Sequence, residues 1–190
     1  MTIDADEEIF ELSDPPGDAL ERAREIWLPR LEAGLPFAEI LEIGSTAVAG
    51  LIGRRNLDFL ARVRREDFFR AGQSLDGLLE RDPRNSGDDA LQAYRLPCDD
   101  LDIVLRLTVV GGPHDRFHLF VERLRDDARL RAAYNRLKQK CNGKTMRDYC
   151  TAKSDFVAKA LGSRATGARA VVEPRRRAIP EKGKNRETGR

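Results

Sequence analysis

Apolar positions change their spacing along the chain, and each change marks an element. Over residues 18–33, Leu20, Ala23, Ile26, Trp27 and Leu31 recur at three- and four-residue steps with charges between them. This predicts an amphipathic helix capped by Asp18 and ended by Gly34, with Trp27 as a core anchor. Pro29 falls late in that helix and is expected to kink or shorten it. Short apolar runs at residues 37–43 and 56–63 read as strands. Phe68, Phe69, Leu75, Leu78 and Leu79 predict a helix from about residue 64 to residue 80, against the helix-weakening Gly72 and Gly77.

Residues 90–96 and 101–110 flank Pro97-Cys98-Asp99-Asp100 and predict an antiparallel pair of strands. In the second strand Leu101, Ile103, Leu105, Leu107 and Val109 share one face, while Asp102, Val104, Arg106 and Thr108 share the other. Gly111-Gly112-Pro113 stops it. Three helical patterns follow: residues 114–127, a second to about residue 140, and a last one holding Tyr149, Lys153 and Phe156.

Composition narrows the class. A chain of 190 residues with 41% hydrophobic and 35% charged residues suits one domain under a charge-dense surface. The divisions expected are an acidic extension over residues 1–16, a domain over 17–162 and a basic tail over 163–190. The tail has almost no large apolar residue to offset its ordering entropy, so disorder is expected there. It could make weak nucleic-acid contacts, but it lacks aromatics for base stacking. Net charge is only +2, so the molecule as a whole is no polyanion magnet. Three cysteines in no metal-like spacing, no membrane-length apolar run and no signal-peptide layout point to a reducing, cytoplasmic setting.

The stretch richest in chemistry runs from Leu41 to Val63. An apolar run ends in Gly44-Ser45-Thr46, and a second apolar run carries a carboxylate, Asp58. Glycine permits a tight bend, and hydroxyls and amides beside it can donate to phosphate oxygens. A strand-borne carboxylate next to that bend could hold a hard divalent cation, or could be satisfied by a neighbouring arginine. Asp102 and Arg106 point the same way on their strand. His114 and His118 are expected to be helix surface and packing rather than a metal pair. Tyr134 and Tyr149 are expected to be core or groove residues.

The run Glu42-Ile43-Gly44-Ser45-Thr46-Ala47-Val48-Ala49-Gly50-Leu51 resembles the "HIGSTAVPGL" signature of the GrpB family, whose fold is nucleotidyltransferase-like. Arg54-Arg55-Asn56-Leu57-Asp58 is similar to the family's "KPIID", and Ala132 to Lys138 to its "AxxYxxLK". The resemblance covers roughly residues 10–160. It implies an α/β (α+β) fold with a small mixed sheet flanked by helices. It also implies binding of a nucleoside triphosphate, with possible nucleotidyl transfer to an unknown acceptor. Gly44, Ser45 and Thr46 would cradle phosphate, with Arg54, Arg55, Arg106 and Lys153 as candidate further contacts. Asp58 and Asp102 would be the catalytic and metal-holding carboxylates for Mg²⁺ or Mn²⁺. Two departures count against catalysis. Leu60 stands where the superfamily carries its second aspartate, and the family's His-x-His stretch is replaced by Arg106 and Thr108. The alternative reading is a catalytically weak or inactive module that senses a nucleotide or a partner.

Overall fold

The computed structural model describes residues 8–85 and 87–162; the basic tail expected over residues 163–190, with any nucleic-acid contact it makes, lies outside them. Five strands form one mixed sheet: β1 (Glu39–Ile43), β2 (Asn56–Val63), β3 (Glu80–Arg81), β4 (Leu91–Leu96) and β5 (Asp102–Val109), in the order β1-β2-β5-β4-β3. β2 and β5 are parallel and central, and the other pairings are antiparallel. The antiparallel β4–β5 pair is the one expected from the two alternating runs.

Two helices cover one face of the sheet. α1 (Gly17–Gly34) and α2 (Phe68–Asp76) enclose a core containing Leu57, Phe59, Ala61, Ile103, Leu105 and Leu107. The other face carries Ile43, Asp58, Leu60, Asp102 and Arg106, and α3 (Phe117–Asp126), α4 (Ala128–Cys141) and α5 (Met146–Ala160) close over it. Leu60 is fully buried there with Phe120, Val121, Leu124 and Tyr134. This strand-by-strand alternation lets β2 be apolar on both sides and still present one carboxylate.

Several local expectations are corrected. α1 is not shortened by Pro29 and continues past it to Gly34; the proline sits exposed. Asp18 does not cap that helix; it pairs with Arg22 one turn on. The helix expected to reach residue 80 stops at Asp76, where Gly77 takes the C-cap position. Phe69 and Leu78, both 74% exposed, are therefore not core members. His114 lies before α3 and binds Asp88, so the two histidines do not share a helix face.

The folded body also begins earlier than residue 17. Phe10 is buried and stacks on Tyr149 at 3.8 Å between ring centres, and its N–H donates to the Lys144 carbonyl.

α4 and α5 start where their sequences provide caps. Asp127 accepts from the Arg129 and Leu130 amides, and Thr145 accepts from the Asp148 amide. Asp127→Ala is expected to cost about 1 kcal/mol in denaturant unfolding. No helix among the described residues is long and apolar enough to cross a membrane.

Candidate functional site

β1 ends at Ile43, and Gly44 turns the chain with φ +79°. Only glycine suits both demands made here. A Cβ at residue 44 would lie 2.7 Å from Asp58 Oδ2, in a backbone region side chains rarely adopt. Gly44→Ala is expected to cost about 2 kcal/mol and to push the Asp58 carboxylate off its present partners, read by thermal unfolding and by the Arg106 side-chain NMR signal. The Ser45 and Thr46 amides donate to no acceptor among the described residues. Thr46 Oγ1 is buried without a hydrogen bond. Ser45 Oγ sits against Gly53. Open amides after a left-handed glycine are the kind of donors that backbone anion sites use.

Asp58 is 14% exposed at its side chain and already has partners. Oδ1 accepts from Arg106 Nη1 at 2.5 Å, and Oδ2 accepts from Asn56 Nδ2 at 2.5 Å. The Arg106 guanidinium lies 5.5 Å from the centre of the Phe117 ring, which fixes it from the other side. Asp102, on the same sheet face, is turned elsewhere. It sits beside Asn56 in the register, and both its oxygens accept from Arg84, at 2.7 and 3.2 Å. Burial pushes the Asp102 carboxyl up, but the hydrogen bonds and charge of Arg84, with help from Arg95 and Arg54, leave it below the usual range.

The structure thus brings Gly44, Ser45, Thr46, Asp58 and Arg106 together and leaves Asp102 with a different set of cations. These side chains do not make a donor set for a divalent cation. Each carboxylate is neutralised by a guanidinium, the position two residues after Asp58 is the buried Leu60, and no cluster of three or more metal-binding side chains occurs among the described residues. Arg55 is exposed at the start of β2, and Lys153 is exposed with its ammonium 6.0 Å from the Tyr149 ring centre. Arg54 is taken by Glu8 at 3.4 Å.

Three residues that matter here were not singled out from the sequence. The segment after the bend is strapped to the helices above it. Arg125 donates twice to the Ala47 carbonyl. Asn135 accepts from the Ile52 amide and donates to the Gly50 carbonyl. Lys138 Nζ donates to the Ile52 carbonyl at 2.5 Å and lies 4.7 Å from the Tyr134 ring centre. Lys138 is 4% exposed. Burial, then the charge of Lys153, bring its pKa down to about 7, against a weaker upward pull from Asp58. The signal for Lys138 was present in the run Tyr134-Asn135-Arg136-Leu137-Lys138, where helical spacing puts Tyr134 and Lys138 on one face.

A protein of Vibrio cholerae described as UPF0157 is 27% identical over 136 residues, 70% of each chain. Among solved structures, GrpB of Enterococcus faecalis matches with TM-score 0.59 and 16% identity over 80% of this chain and 97% of that one. Cid1, described as having RNA terminal uridylyl transferase activity, matches over 67% of this chain and 41% of its own with TM-score 0.43 and 15% identity. The α/β fold, a small mixed sheet flanked by helices, is the one the resemblance implied. The model of the GrpB protein family matches residues 20–163, most of the sequence, and the chain belongs to the GrpB family.

Proposed function

We propose that this protein is a nucleotide-binding module, working in the cytoplasm, that keeps a nucleotidyltransferase-like fold and has given up metal-dependent nucleotidyl transfer. The observation that carries this reading is the Asp58–Arg106 pair beside the Gly44 bend, with Leu60 buried two residues on. Nucleotidyl transfer depends on neutralising charge at phosphorus, normally by two metals between carboxylates. Here the cation beside the bend is a guanidinium, and a guanidinium recognises phosphate directly. The nucleotide's phosphates would sit on the Ser45 and Thr46 amides and on Arg106, with Arg55 and Lys153 at the rim. The buried Lys138 holds the loop beneath that cradle rather than contacting it.

The test is calorimetric titration with ATP and UTP in EDTA and in Mg²⁺. The reading predicts similar affinity in both buffers, a loss of about tenfold or more in Arg106→Gln, and no label transferred from either nucleotide. An absolute requirement for Mg²⁺ together with turnover would favour the catalytic reading instead.

A further inference from the structure

On the side of α4 turned away from the bend, an open cleft of about 380 Å³ lies against α5. Arg136 and Lys140, one helical turn apart, stand on one wall, and Lys144 joins them from the turn that follows. That turn is pinned: the Lys144 amide donates to the Cys141 carbonyl, and its own carbonyl accepts from Phe10. Ala133, Leu137 and Ala152 supply an apolar floor.

All three cations are exposed, and none has a carboxylate, hydrogen-bond or ring partner among the described residues. Many surface arginines are tied to an aspartate or glutamate, Arg22, Arg64, Arg65, Arg81 and Arg84 among them; these three are left unpaired among the described residues and line one cleft. The local sequence explains the difference. Residues 128–147 carry seven basic side chains, namely Arg129, Arg131, Arg136, Lys138, Lys140, Lys144 and Arg147, and no acid. The negative end of the α4 dipole accounts for a basic last turn. It does not account for Arg136 in mid-helix, nor for like charges kept one turn apart at a cost of a few tenths of a kcal/mol.

We infer that this cleft is a second anion site, distinct from the bend, that takes a phosphorylated small molecule. Its phosphate would lie across Arg136, Lys140 and Lys144, and its organic body would cover Ala133, Leu137 and Ala152. The volume lies within the ~300–1,000 Å³ range of small-ligand pockets. Three converging cations match the charge of a phosphate monoester better than that of a single carboxylate.

The test uses the full chain, with amide NMR titrations of phenyl phosphate, inorganic phosphate and a short single-stranded oligonucleotide. Phenyl phosphate is expected to shift the amides of the α4–α5 cleft saturably and to bind at least about tenfold more tightly than inorganic phosphate. Arg136→Gln with Lys140→Gln should weaken it at least about tenfold, while Arg106→Gln leaves it unchanged. Both cleft positions are exposed, so the double variant should retain the parent melting curve. The inference is overturned if neither phosphate gives saturable shifts in the cleft, if the double variant binds as the parent does, or if only the oligonucleotide binds there. Shifts confined to the Ser45–Thr46 turn would also overturn it, while leaving the proposed nucleotide site intact.

Discussion

Replacing Arg106 with alanine is expected to destabilise the fold by about 3 kcal/mol, because it strands the Asp58 carboxylate against the Gly44 bend. Asp58 is only 14% exposed at its side chain, against 21% for Arg106, so water can do little for the carboxylate left behind. Asp58→Ala should cost less, about 1–2 kcal/mol, since the guanidinium keeps its contact with the Phe117 ring and a path to solvent. The double replacement Asp58→Leu with Arg106→Met removes both charges and should recover much of the loss, giving a coupling of about 2 kcal/mol in a double-mutant cycle. Denaturant unfolding of the four proteins checks this. Additive losses would mean that the pair does not hold the bend.

The second large effect concerns Lys138. A buried amine whose pKa falls to about 7, from an ordinary 10.5, binds fewer protons folded than unfolded between those values. The unfolded chain therefore gains protons that the folded one lacks, and stability rises with pH across that window. The penalty is fully present below about pH 7 and is relieved as pH climbs toward 10.5, by on the order of 3 kcal/mol. Near pH 10 the buried Tyr94 and Tyr134 oppose the trend, since burial keeps both hydroxyls un-ionised in the fold. Lys138→Met should flatten the rise between pH 7 and 9.5. At pH 7 it should leave the protein about 1–2 kcal/mol more stable, less being gained than the charge alone implies because the Ile52 carbonyl loses its donor. Thermal unfolding over that pH series is the measurement; an unchanged slope in the variant would assign the pH dependence elsewhere.

What could be read from the sequence was whatever depends on local periodicity. β2 falls at Asn56–Val63 as its apolar run predicts, and Asp102 and Arg106 share a sheet face because strand side chains alternate. The helices α4 and α5 were marked by their own spacing. Less legible was anything decided by partners distant in the chain. Nothing local in the 68–80 run separates Phe68, which is buried, from Phe69 and Leu78, which are not; the packing of α2 on the sheet decides it. The same holds at the site. The bend, Asp58 and Arg106 were each visible, but the sequence separation of 48 between Asp58 and Arg106 hides their pairing. So does the distance from Arg84 to Asp102, two residues on different segments that meet only in the fold. Asn135 as a strap on Gly50 and Ile52 could not be inferred from an exposed-looking position on a helix.

The central claim is that Asp58 serves to hold Arg106 at the bend rather than to hold a metal ion. Nucleotide titration of Asp58→Asn, with and without Mg²⁺, tests it most directly. Asparagine keeps an acceptor for Arg106 Nη1 and removes only the negative charge that competes with phosphate, so ATP affinity should be unchanged or tighter in both buffers. Weakened binding that appears only when Mg²⁺ is present, accompanied by loss of label transfer seen in the parent, would contradict the account.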